Sequence, residues 1–205
     1  DVPENNFTVR NKMIMLMIHT SIQVLKEKLD NYLKMKAESE RPMVNYITSE
    51  GTEKGVFPAN TVTPFLINVS EDRKFRNPDQ YSGSVNDGIK TGFNPEIRIE
   101  LLILFVSNFS SYDQSLRPLS YVIKFFQANR IFTPENSPLL YEENIEKLIM
   151  ELVSIPLEEQ NQVWHSLNTS YLPSVLYRVR LLSFIDDESI EYVGKHIEEV
   201  ESSIE

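Results

Sequence analysis

The chain has no cysteine, which excludes disulfides, thiolate nucleophiles and thiolate metal sites and leaves packing alone to hold the fold. Histidine is almost as scarce. Of the three present, His19 lies among apolar residues and His165 adjoins Trp164, so both read as packed or surface side chains, and no two stand at a metal spacing such as H-x-x-x-H. No Gly-x-Ser-x-Gly elbow occurs, and Gly83-Ser84 lacks the lysine and the strand-turn-helix frame of a phosphate loop. Carboxylate pairs such as Glu71 with Asp72, or Glu158 with Glu159, sit in surface-like contexts. Basic residues are in deficit, 20 against 30 acidic ones for a net charge of −10, which argues against a nucleic-acid surface. No apolar run nears the roughly 20 residues that span a bilayer. The longest near the start, Met13 to Ile18, is preceded by an acidic and polar lead, so neither a secretory signal nor membrane insertion is expected, and synthesis in the cytoplasm is. These absences leave little for an enzyme of small molecules to work with. We expect no catalytic, cofactor-binding or metal site.

What remains is an ordinary globular composition, 41% apolar and 24% charged over 205 residues, enough for one domain with a real core. Charge is distributed unevenly. Residues 186–205 hold eight acids and one lysine, a net of −7, so they read as an acidic tail behind a domain at 1–185. Four N-x-S/T sequons, beginning at Asn6, Asn68, Asn108 and Asn168, are attributed to chance, since two fall in or beside strands.

Ile14, Ile18, Ile22, Leu25, Leu29 and Tyr32 recur at helical spacing and predict an amphipathic helix over about 11–36. The Met13, Met15 and Met17 cluster is read as core or subunit packing. A short strand is expected at 43–47, an exposed excursion at 49–60, a strand at 62–69 and a long loop at 72–92 with turn signals at Asn77-Pro78 and Asn86-Asp87-Gly88. Residues 97–106 alternate at first and then turn apolar on both faces, as a strand does on entering a covered position in a sheet. Ser111 and Gln114 form a capping-box pattern ahead of a helix expected to bury Leu116, Leu119, Ile123 and Phe126 and to end near Asn129. Pro118 should kink that helix or move its start later. A stiff turn at 131–138, a helix at 157–167 with Trp164 inward, and a strand at 174–185 follow. Residues 145–155 suit helix and strand equally by composition. The helix near Phe126 carries more rings than one face can hide. Tyr121 and Phe125 fall on its flank and are candidate subunit contacts.

Two segments, FVSNFSSYDQSLRPLSYVIKFFQANRIFTPENSP from Phe105 and YLPSVLYRVRLLSF from Tyr171, resemble the tail-terminator or cap proteins of contractile injection systems. The resemblance runs from about Ile97 to Ile185, with the first helix consistent and with Pro118 a departure. It implies that 145–155 is a strand. The expected fold class is then α+β, a single domain with a mostly antiparallel sheet and helices packed on one face, phage tail-terminator-like.

The resemblance also implies a role. Such proteins form a homohexameric ring that ends polymerisation of the inner tube and anchors the last sheath ring of a particle either extracellular or cell-associated. The implied partners are itself, the inner-tube protein and the sheath protein. Lys54, Phe57 and Pro58, near the tip of the 49–60 excursion, are the candidate tube contacts. In the tail, Ile190, Tyr192, Val193 and Ile197 are candidates to join a neighbour's or the sheath's sheet edge. The alternative is a non-enzymatic assembly adaptor or chaperone for one tube or sheath component.

Overall fold

The computed structural model describes residues 5–47, 57–72, 84–86, 89–91, 98–183 and 191–192, with side chains described from Met15 onward in the first helix. Its centre is a five-stranded, wholly antiparallel sheet built from β1 (Thr61–Glu71), β4 (Arg98–Asn108), β5 (Ile131–Phe132), β6 (Ile145–Val153) and β7 (Ser174–Ser183), in the order β1-β4-β7-β6-β5. Pro64 has no amide hydrogen to give a ladder, and it falls on the edge strand β1, where that costs least. β4 lies between β1 and β7, the covered position its two apolar faces foretold.

Alternation along β4 and β7 splits the core in two. Ile99, Leu101, Ile103 and Phe105 of β4, with Tyr177, Val179 and Leu181 of β7, face the larger cluster. The helices α1 (Asn5–Ala37), α2 (Tyr112–Ala128) and α3 (Leu139–Glu142) supply its other wall through Leu25, Leu29, Val122, Phe126 and Leu140. Leu104 and Val106, with Leu176, face the other way and meet Trp164 of α4 (Leu157–Leu167) and Phe57. Three helices therefore share one face, and α4 caps one end of the opposite face.

The 145–155 segment is a strand, as the resemblance implied, and Trp164 points inward. Other expectations are corrected. Residues 43–47 give one parallel bridge, Val44 to Val62, in place of a strand. The 72–92 loop contains β2 (Ser84–Asn86) and β3 (Ile89–Thr91), which pair antiparallel with Asn86 opposite Ile89. The turn after β5 ends in the one-turn helix α3, which the sequence did not announce.

Helix α2 starts where its cap predicted. Ser111 is extended, and its Oγ accepts the Gln114 amide at 3.3 Å. The return half of the box is redirected, because Gln114 Oε1 accepts from Ser110 Oγ at 2.7 Å. Pro118 does not displace the start; it is itself buried. The inward stripe is Ser115, Pro118, Val122, Phe125 and Phe126, one position round from the stripe expected. Leu116 is exposed and Leu119 and Ile123 are half-buried. Ser115 explains the rotation. Its Oγ donates to Ser111 O at 3.1 Å and accepts the Phe109 amide at 3.1 Å, while its carbonyl accepts from Ser107 Oγ at 2.8 Å, so β4 and α2 are tied at that position. Ser111→Ala is expected to cost about 1 kcal/mol, read by denaturant unfolding. A change within about 0.3 kcal/mol would show the cap to be idle.

Candidate functional site

The surfaces nominated by sequence fare differently. Phe57 does not stand at an exposed tip. It is 5% exposed, its ring lies 6.0 Å from Phe65 and 6.1 Å from Trp164, and its carbonyl accepts from Asn108 Nδ2 at 2.8 Å. It is a core anchor for the chain entering β1, because a ring beside two others gains more by burial than by display. Pro58 is half-buried beside it, and its carbonyl accepts from Thr61 Oγ1 at 2.9 Å. Lys54 lies outside the described residues.

Phe125 is likewise corrected from flank to core. It is 7% exposed, with ring centroids 5.1 Å from Tyr32 and 6.3 Å from Phe132, so α1 of its own chain takes the surface offered to a subunit. Tyr121 remains half-buried, edge-on to Tyr32 at 6.5 Å. Of the tail candidates, Ile190, Val193 and Ile197 lie outside the described residues. Tyr192 belongs to β8 (Glu191–Tyr192), whose backbone pairs antiparallel with β3 of the same chain, Tyr192 opposite Lys90. The tail thus finds a strand partner in its own 84–91 hairpin, and β8 forms an edge of the small β2-β3-β8 sheet.

Sequence reasoning missed a charged cluster on the sheet face opposite α1. Glu100 of β4 lies 3.5 Å from both Arg178 Nε and Arg180 Nε of β7, and Glu151 of β6 lies 3.6 Å from Arg178 Nη1 and 3.1 Å from Arg180 Nη2. The register makes this inevitable, since Glu100 and Arg180 are direct partners and Glu151 and Arg178 are too. Beside it is a shallow depression of about 270 Å³ lined in part by Asp72, Arg98, Lys147 and Arg180. The signal was present in R-V-R at Arg178 to Arg180, charge on every second residue of an otherwise apolar strand. The cluster is balanced in sign and part-exposed, so it sets register and surface character more than stability.

Burial pushes Tyr177 up to about 12, and burial followed by the Glu27 charge raises Tyr46. Among the described residues no group of His, Asp or Glu could hold a metal ion, and no helix is long and apolar enough to cross a membrane. The arrangement can pack, pair strands and match charge.

This fold, an antiparallel sheet with three helices on one face and a fourth capping the other, is similar to that of a sheath/tube terminator. The terminator of an extracellular contractile injection system, PVC, in its extended state, superposes with a TM-score of 0.57 at 19% identity, over 92% of this chain and 63% of that one. The model of the Pvc16 N-terminal domain matches residues 21–198, and the chain belongs to that family. The tube-terminating cap of the anti-feeding prophage is similar at a TM-score of 0.43 and 16% identity, over 70% of this chain and 48% of that one. No curated protein matches the sequence. The chain spans less than two thirds of the length of either solved protein.

Proposed function

We propose that the chain is a structural terminator that closes the distal end of a contractile particle's inner tube and holds the last sheath ring. The observation that carries this reading is the family match over residues 21–198. The domain works as a hexameric ring, assembled in the cytoplasm, with no chemical step. Shape and charge supply the affinity, and six coupled copies let each contact be modest. Residues 186–205 act as the sheath-facing or neighbour-facing segment. β8 supports this, because it is an edge strand of the small sheet and has one side open among the described strands.

The test is removal of the chain from cells that make the particle. We expect tubes of uncontrolled length that lose their sheath, seen by negative-stain microscopy. Tubes of normal length with sheaths retained would end the terminator reading. Particles lacking only 186–205 of this chain, with sheath retention unchanged, would end the role given to the tail.

A further inference from the structure

The outermost strands of the central sheet, β1 and β5, each turn a row of N–H and C=O groups away from it. Such a row is a template on which another chain can add a strand. At β5 the hydrogen bonds show which residues form it. The Met150 amide donates to Arg130 O at 2.8 Å, and Phe132 is paired with Leu148. By alternation Ile131 and Thr133 direct their groups outward. Ile131 is also 52% exposed, so the edge carries an apolar side chain.

That row is already occupied. The Asn136 carboxamide donates from Nδ2 to Ile131 O at 3.3 Å and accepts the Thr133 amide on Oδ1 at 3.1 Å. These two groups, flanking Phe132, are the ones an added strand would use. Thr133 O accepts the amides of Asn136 at 3.1 Å and Ser137 at 2.8 Å. Asn136 is held in turn, since its Oδ1 accepts from Ser137 Oγ at 3.0 Å and its carbonyl accepts from Lys28 Nζ of α1. Asn136 is exposed, so burial does not oblige its side chain to find partners. A side chain that only shaped the turn would bond within 133–137, whereas this one reaches back into β5. β1 is guarded by other means. Val62 donates to Met43 O and accepts the Asn45 amide, Pro64 has no amide hydrogen, and the register slips between Leu66 and Asn68.

We infer that Asn136 is a plug: its carboxamide stands in for a strand at the outer edge of β5 and keeps that edge from pairing with a second copy of this chain. Contacts between copies then lie away from this edge. The inference rests on hydrogen bonds within one chain and not on the ring reading, so either can fail alone.

The test compares wild type, Asn136→Ala and Asn136→Asp as full chains at matched concentrations, by NMR hydrogen exchange and analytical ultracentrifugation. In dilute Asn136→Ala the Thr133 amide should exchange about tenfold faster, as the loss of one hydrogen bond implies. On concentration that variant should form species heavier than any in wild type, with Thr133 protected again in them. Adding Ile131→Lys, a charge on the exposed edge, should return it to the wild-type distribution. Asn136→Asp still accepts from Thr133 but cannot donate to Ile131, so Thr133 should stay slow and the new charge should keep the size at that of wild type. Unchanged Thr133 exchange in Asn136→Ala overturns the plug, as does fast exchange with a wild-type size distribution. Heavier species that persist with Ile131→Lys also overturn it, because they trace the association to another surface. Should Asn136→Ala not fold, fast Thr133 exchange in Asn136→Asp overturns it instead.

Discussion

Phe126→Ala is expected to lower the unfolding free energy by about 3–5 kcal/mol. Phe126 is almost wholly buried, and it is the hub where α2 meets the sheet. Its ring centroid lies 5.0 Å from Tyr177, 5.1 Å from Phe105, 5.1 Å from Phe125 and 6.4 Å from Phe132. Removing it forfeits the transfer energy of the ring and leaves a void that four rigid neighbours cannot close. A domain of this size has only about 5–15 kcal/mol to lose. The melting temperature should fall by roughly 10 °C, since each kcal/mol is worth about 2–4 °C here. Circular dichroism during heating reads the effect, with the exposed Ser120→Ala as a control on the same helix. A fall of less than about 1 kcal/mol would mean that α2 is not held to the sheet through this ring.

The second large effect is expected at Asp30. Its carboxylate accepts the Met43 and Val44 amides at 2.7 and 2.8 Å and pairs with Lys34 Nζ at 2.6 Å. These contacts tie α1 to the bridge that leads into β1. Asp30→Ala strands two amides in a buried place, for an expected loss of about 3 kcal/mol, with Asp30→Asn about half as costly. Burial alone would push the Asp30 carboxyl up, but the Lys34 hydrogen bond, the Val44 and Met43 amides and the Lys34 charge outweigh it, so it lies below its ordinary 3.8. A group with a depressed native pKa gives its full stabilisation above the unfolded value and loses it as pH falls through the native one. The gap between wild type and Asp30→Asn should therefore be constant near neutrality and shrink below about pH 4. Urea titrations across that range measure it. A gap that widened on acidification would refute the assignment.

Most of the scaffold could be read from residues. Leu25 and Leu29 of the α1 stripe, the change of pattern along β4, the Ser111 cap and Trp164 all act through local periodicity or a single hydrogen bond. What escaped depended on partners outside the residue's own element. Leu116, Leu119 and Ile123 outrank Ser115 and Pro118 in hydrophobicity, yet Ser115 turns inward because Ser107 of β4 and Phe109 just beyond it bind it. Phe57 sits in a stretch with turn residues and so reads as exposed, but Phe65 of β1 and the distant Trp164 make it core. Phe125 reads as flank until Tyr32 is seen to lie over it. Nothing local in NIEKLIMEL decides for strand; the register with β7 does. The charged cluster becomes legible only once Glu100, Glu151, Arg178 and Arg180 are known to be cross-strand neighbours.

The Asp30 tether has a mechanical consequence. Helix α1 is 33 residues long, and the span from Asn5 to Asp30 is a stiff arm of about 37 Å. A sideways push at its far end becomes torque at Asp30. Part of that torque passes through the Met43 and Val44 amides to Val62, on an outermost strand, across a single parallel bridge, while Leu29 and Tyr32 pass the rest into the core and α2. β4 and β7, locked along nearly their whole length on both sides, lie beyond that weak link. Under load the domain should yield at this fuse first and keep its central ladder whole.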